Sequence, residues 1–448
     1  MNLELLNEID SFVWGPPLLV LLVGTGVFLS LRLGFLQVAR LPKALGLIFK
    51  AKSQGEGDTS SFRALCTALA ATIGTGNIVG VATAVKAGGP GALFWMWVAA
   101  FFGMATKYAE GLLAVKYRGV DEHGEIAGGP MFYIENGMGR QWKPLAVFFA
   151  AAGVLVAYFG IGTFAQVNSI VDITKLSIGL DPMYTAVVLT LAVAAVTIGG
   201  LQSIASVASK IVPAMAVIYF VATVGFLLMF IDKVPGAVME VLRCAFTPTA
   251  AAGGFAGASV MLAMRSGVAR GVFSNESGLG SAPIVAAAAQ TKSPVRQALV
   301  SSTGTFWDTV VVCLLTGMVI VSSVLAHQGI TFANGATLTK HAFATIPVIG
   351  TPLLTFGIIT FAFSTILGWS YYGEKCVEYL GGSRFSRYVI WIYRVLFILM
   401  VFVGGTRQLD AVWSFSDLAN GLMAIPNLIS LLLLTGVIAR ESRRGGVL

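Results

Sequence analysis

Ala71-Thr72-Ile73-Gly74-Thr75-Gly76-Asn77 interrupts an apolar run that otherwise extends from residue 62 to residue 87. A second run, from 255 to 290, carries Phe273-Ser274-Asn275-Glu276-Ser277-Gly278-Leu279-Gly280-Ser281-Ala282-Pro283 in its middle. Each run is long enough to cross a bilayer core of roughly 30 Å, and each places paired glycines and polar side chains near its midpoint. In a helix interior Gly costs about 1 kcal/mol and Pro about 3 kcal/mol. Non-helical backbone at membrane depth survives only where it is buried in protein or lines a watery cavity. The two stretches therefore predict two spans that are broken halfway. A break frees carbonyls at the end of one half-helix, which suit a cation, and N–H groups at the start of the next, which suit a carboxylate.

The rest of the chain agrees with a membrane setting. Of 448 residues, 56% are hydrophobic and only 11% charged, against roughly 25% charged in a soluble domain. The 52 glycines suit close helix packing in lipid. The net charge of +8 would suggest nucleic acid in a soluble protein. Here the basic residues lie in short loops between apolar runs, so the positive-inside rule explains them and no nucleic-acid partner is expected. Cys66, Cys244, Cys313 and Cys376 are scattered, and the three histidines form no metal-binding cluster. No P-loop, zincin or nucleophile-elbow motif points to an enzyme.

About eleven segments can span the membrane: near 14–33, 62–87, 91–118, 145–174, 183–199, 202–231, 255–290, 297–325, 350–379, 386–405 and 410–438. With the N-terminus outside, Arg32, Arg40, Lys43, Lys50, Lys52, Arg63, Arg140, Lys143, Lys292, Arg296, Arg384, Arg387, Arg440, Arg443 and Arg444 fall inside, which places the C-terminus in the cytoplasm. Residues 35–52 mix Arg40, Lys43 and Lys50 with Leu41, Leu45, Leu47 and Phe49 and read as an amphipathic elbow on the inner surface. Gly74-Thr75-Gly76-Asn77 has its counterpart in Gly278-Leu279-Gly280-Ser281, and four spans follow each. This predicts an all-α integral membrane protein with a 5+5 inverted repeat and one extra N-terminal helix. The divisions are 1–61, the extra helix and elbow; 62–250, the first repeat, broken at 70–78; and 251–448, the second repeat, broken at 273–283, with the tail.

The run Gly88-Gly89-Pro90-Gly91-Ala92-Leu93-Phe94-Trp95-Met96-Trp97, with the stretches around Gly74 and Gly278, resembles the sodium:alanine (alanine/glycine:cation) symporter family of the amino acid–polyamine–organocation superfamily. The likeness covers essentially the whole chain. It implies a leucine-transporter-type fold and import of alanine or glycine driven by sodium through the plasma membrane. Sodium is then a co-transported ligand, and no cofactor is expected. The oligomeric state stays open, with a monomer favoured.

The resemblance also implies a site. Substrate contacts fall on Thr72, Gly74, Thr75 and Gly76 at the first break, the carboxylate resting on the N–H groups of Thr75 and Gly76. Gln166, Phe273, Asn275, Ser277 and Trp369 complete that set, with Phe273 as a lid and Trp369 narrowing the pocket. A second cation position takes the carbonyls of Ala70, Ile73 and Phe361 and the hydroxyls of Ser364 and Thr365. A first, less complete position takes the Thr72 carbonyl, Asn77 and Ser274. Glu276, an ionisable group at membrane depth, is expected to pair with Arg265 or Arg270, and Asp308 to cap a polar network. Two alternatives remain open at this stage: proton coupling through Glu276 or Asp308, and a gated ion channel.

Overall fold

The computed structural model describes residues 8–9, 12–50, 55–121, 124–248, 258–326, 335–346, 348–382, 386–406 and 412–448. Its main elements are helices: α1 (Pro16–Arg32), α2 (Ser61–Thr72), α3 (Val79–Gly88), α4 (Gly91–Lys116), α5 (Lys143–Phe159), α6 (Phe164–Ile178), α7 (Pro182–Thr197), α8 (Gly200–Met229), α9 (Val260–Asn275), α10 (Ala282–Ala287), α11 (Pro294–Ala326), α12 (Gly350–Gly381), α13 (Ser386–Thr406), α14 (Val412–Leu433) and α15 (Thr435–Arg444). One short antiparallel ribbon, β1 (Gly119–Val120) with β2 (Ile126–Ala127), follows α4. Val188, Leu191, Val217, Val221 and Leu228 are exposed on α7 and α8. Such outward apolar faces suit lipid, where the helix satisfies its own backbone.

Both breaks form where the sequence places them. α2 starts at a Ser60 cap, whose hydroxyl accepts the Arg63 N–H, and stops at Thr72. Ile73 and Gly74 are extended, Thr75–Asn77 make one tight turn, and α3 resumes at Val79. α9 likewise starts at a Ser259 cap and stops at Asn275. Glu276 then takes φ 55°, and Gly278 and Gly280 take φ 90° and 83°. Only glycine adopts that region without strain, so the glutamate is held there by its neighbours. Pro283 opens α10, where a missing N–H costs nothing.

The two broken helices run in opposite directions. Thr59, at the foot of α2, bridges to Ala289, just past α10, and the Asp58 N–H donates to the Ala288 carbonyl. α3 packs on α9 at the other end. α4 fills the space between, against α9, α10 and α11, while α12 closes on α2 and on α5, α6 and α8. The approach of α12 to α2 needs Gly368, where an added Cβ would lie 2.6 Å from that of Ala71.

Within the described residues, each expected span has helix beneath it. Among the described residues seven helical runs are long and apolar enough to cross a membrane, and Pro16–Arg32, Val79–Gly88 and Pro182–Thr197 are shorter apolar helices. The run 145–174 is itself interrupted, between Phe159 and Phe164, where Gly160 and Gly162 meet Val156, Ala157 and Trp369 at close range. The run 410–438 ends at Leu433, and α15 is a separate amphipathic helix carrying Arg440, Arg443 and Arg444. The elbow consists of two short helices, Leu36–Ala39 and Leu41–Lys50. Lys52 and Arg384 lie outside the described residues.

Candidate functional site

The first break faces α12 and α6. Thr365 Oγ1 lies 3.1 Å from the Ala70 carbonyl oxygen, 3.3 Å from that of Ile73 and 3.0 Å from that of Phe361. A hydroxyl has one hydrogen and two lone pairs. Donated to Phe361 in its own helix, it leaves the lone pairs free toward Ala70 and Ile73. The three oxygens then make a compact set of hard ligands of the kind a small cation takes. Ser364 sits beside them, its hydroxyl donated to the Phe361 carbonyl at 2.9 Å. Gly74 has no alternative here, since a Cβ would come within 2.5 Å of Thr365 Oγ1 and 3.2 Å of Gln166 Oε1.

Gln166 reaches the same turn from α6. Its Oε1 accepts the Thr75 N–H at 3.1 Å. Its Nε2 and the Thr75 hydroxyl are buried and make no hydrogen bond to any described residue. Buried polar groups without partners are costly, which makes these two atoms candidates for a polar ligand. The Phe273 ring covers Gly76, a Cβ there falling 3.4 Å from its edge, and the Arg270 guanidinium stands 5.3 Å over that ring.

Asn77 and Ser274 meet at Asp308 rather than at each other. Asn77 Nδ2 donates to Asp308 Oδ1 at 2.8 Å, while the Ser274 and Thr309 hydroxyls donate to Oδ2 at 2.9 and 2.6 Å. Asn77 Oδ1 turns back to cap the Gly74 N–H at 2.8 Å, and Asn275 Nδ2 donates to Thr309 Oγ1 at 3.0 Å. Asp308 thus knits the two breaks to α11. The Thr72 hydroxyl is not part of this cluster; it bonds back to Ala68 at 3.2 Å. Ser277 points away as well, pairing with Thr305 Oγ1 at 2.8 Å beside α4.

Glu276 departs from the expected pairing. Its carboxylate accepts the Trp369 indole N–H at 2.9 Å and the Ser281 hydroxyl. Arg270 instead grips Asp417 on α14, at 2.8 and 3.2 Å. The physical reason is direction: Arg270 leaves α9 well before the break, on the side facing α14. Trp369 donates its indole N–H to the Glu276 carboxylate and lies edge-on against Tyr372 at 5.5 Å.

Sequence reading passed over a third buried acid. Glu110 on α4 accepts the Gly278 N–H at 3.0 Å and Asn427 Nδ2 at 2.6 Å, and Asn427 Nδ2 also reaches the Gly278 carbonyl at 2.9 Å. Tyr133 donates to Asn427 Oδ1. Lys107 lies one turn earlier on α4, 3% exposed. The signal was available, since Lys107 and Glu110, in the interior of the apolar run 91–118, are functional candidates by default.

A cavity of about 350 Å³ is bordered by Gly80, Thr83, Asp172, Arg270 and Lys340, toward the α3 end. At the ribbon end Lys375 bonds Glu378 at 2.9 Å and Glu125 at 3.2 Å, Arg394 grips Glu374 at 2.6 and 2.8 Å, and Arg118 donates to the carbonyls of Glu56, Ala287, Ala289 and Thr291.

Comparison with known proteins agrees with this architecture. An uncharacterized transporter of Haemophilus influenzae is 55% identical over 446 residues, covering 99% of this chain and 96% of its own. The sodium/alanine symporter AgcS of Methanococcus maripaludis is 52% identical over 445 residues, covering 98% and 96%. The crystal structure of MhsT in complex with L-phenylalanine superposes with a TM-score of 0.58 over 87% of this chain and 93% of that one, at 15% identity, which places both in the leucine-transporter-type fold. Residues 1–444 match the family model described as the sodium:alanine symporter family, and the chain belongs to that family.

Proposed function

We propose that this protein imports alanine, and glycine with it, across the cell membrane together with sodium, by alternating access. The observation that carries the reading is the convergence of Thr365 Oγ1 with the Ala70 and Ile73 carbonyls. A sodium ion among these oxygens ties α2 to α12 and favours one arrangement of the broken helices over the other. The amino acid then completes the turn. Its carboxylate takes the Thr75 N–H from Gln166 Oε1 and accepts from the Gln166 amide, while Phe273 and Trp369 limit the side chain to a methyl group or hydrogen.

The cavity toward the α3 end and the ion pairs at the ribbon end support a carrier that faces one side. With the basic loops inside, that side is the exterior, the N-terminus lies outside and the C-terminus in the cytoplasm. The test is uptake by the full chain in proteoliposomes, with an amino-acid panel under sodium, potassium and proton gradients. Sodium-dependent, saturable uptake of alanine and glycine is expected. Uptake that ignores sodium overturns the reading.

One observation favours proton coupling as the second reading: Glu110, Glu276 and Asp308 are all fully buried. Uptake that collapses with the proton gradient and persists without sodium selects it.

A further inference from the structure

Lys107 lies midway along α4 on a face kept bare one turn to either side. A Cβ on Gly103 would fall 2.8 Å from Ser277 Oγ, and one on Gly111 would fall 3.0 Å from the Ser301 side chain. The second break and α11 close over the lysine for that reason. Its side chain enters a cavity of about 20 Å³ bordered by Thr72, the last residue of α2; Ala282, the first of α10; and Gln297 and Ser301 on α11. Lys107 Nζ and Gln297 Oε1 are buried and make no hydrogen bond to any described residue. An ammonium group carries three donors, and leaving all of them unspent at this depth is costly.

The lysine has electrostatic partners. Glu110, Glu276 and Asp308 all interact with it through space, and all three are fully buried. One basic group thus serves three buried carboxyl groups, and each of them that ionises draws on the same ammonium. Thr72 marks the C-terminal end of α2, the end that attracts cations. Ala70 and Ile73, whose carbonyls converge on Thr365, belong to that same end. The ammonium and an incoming cation therefore draw on the same carboxylates and the same helix terminus. A compact charge on a flexible four-carbon stem can move between them without moving the backbone.

We propose that Lys107 is a tethered cation that stands in for sodium when the carrier is empty. This rests on the sodium-symport reading above. With sodium bound, the ammonium is withdrawn into the small cavity. When sodium and the amino acid leave, it turns toward Asp308 and Glu276 and supplies the countercharge that lets the empty carrier reorient. Lysine and sodium compete, so the lysine lowers the fraction of carrier ready for sodium and weakens apparent sodium affinity by that fraction.

The experiment compares two modes of transport in proteoliposomes. Net sodium-driven alanine uptake requires the empty carrier to return; alanine–alanine exchange with sodium on both sides does not. In Lys107→Met, net uptake falls at least about tenfold, because buried carboxylates lose their countercharge on the return step. Exchange persists, and half-saturating sodium falls at least about threefold because the competitor is gone. Lys107→Arg keeps the charge and retains net uptake. The proposal is overturned if net uptake and exchange change in parallel, or if half-saturating sodium is unmoved.

Should Lys107→Met fail to fold, wild type decides. Acetic anhydride labelling of Lys107, read by mass spectrometry against the exposed Lys143 (side chain 60% exposed), is lowered by sodium if the ammonium occupies the cargo path in its absence. Labelling indifferent to sodium overturns the proposal. Wild-type uptake that does not need sodium overturns the symport reading itself, which keeps the two failures distinct.

Discussion

The Trp369 indole N–H donates to Glu276 Oε1 at 2.9 Å, joining the left-handed residue of the second break to the middle of α12. One hydrogen bond thereby couples the half-helix junction that must move to a long helix that packs on both α2 and α5. Trp369→Phe keeps most of the ring and removes the donor, leaving a buried carboxylate oxygen short of a partner at a cost of about 1–3 kcal/mol. A lower melting temperature of the purified protein and slower alanine uptake are the expected outcomes. Trp369→Ala also removes bulk, and uptake across an amino-acid panel should broaden toward larger side chains. Unchanged selectivity takes Trp369 out of the pocket.

Thr365→Val replaces the hydroxyl with a methyl group of the same shape. The Ala70 and Ile73 carbonyls stay in place and lose the third oxygen. Half-saturating sodium should rise by about tenfold or more, equal to about 1.4 kcal/mol, with little change in melting temperature without sodium. Thr365→Ser, which restores the oxygen, should recover most of the affinity. A sodium titration of uptake that is the same in Thr365→Val and wild type refutes the ligand assignment.

Asn427 serves Glu110, Gly278 and Tyr133 at once. Asn427→Leu strips partners from a buried carboxylate and from the backbone of the second break. Each buried group left without a hydrogen-bond partner costs about 1–3 kcal/mol, so this variant should be among the least stable single changes in the core. Thermal unfolding in detergent checks it. A melting temperature within experimental error of wild type contradicts the clamp.

At the ribbon end the Tyr379 hydroxyl donates to Glu135 at 2.5 Å, and Lys143 pairs with the same carboxylate at 3.3 Å. The tyrosine bond, with lysine second, holds the Glu135 carboxyl below its ordinary value of 4.5. A depressed acid stabilises the folded state fully above its unfolded value and loses that contribution as the pH falls through the folded one. The melting-temperature gap between wild type and Tyr379→Phe should be present at pH 7 and shrink on acidification below about 4.5. A gap that widens with acid reverses the assigned sign.

Much of the site was legible because backbone chemistry writes itself into sequence. Paired glycines beside Asn77, and again around Leu279, fail as continuous helix in lipid, so both breaks could be placed to within about three residues. Ser60, Ser259 and Pro283 announce helix starts by their own local bonding. Pairing of side chains across helices was not legible. Arg270 lies close to Glu276 in sequence yet bonds Asp417, 147 positions away. The interruption at Gly160 and Gly162 was not legible either: an added Cβ on Gly162 would lie 2.8 Å from Trp369 of α12, and one on Gly160 2.9 Å from the Val156 carbonyl oxygen.

Taken by itself, the sequence determined that the chain lives in lipid, where its spans break and which peptide groups the breaks release, because the absence of water forces every backbone polar group to find a local answer. Only the tertiary structure decided who answers the buried charges. Lys107 and Glu110 on α4, Glu276 in the second break and Asp308 on α11 come from three separate places in the chain, and their partners are chosen by helix direction and packing, which no stretch of local sequence encodes.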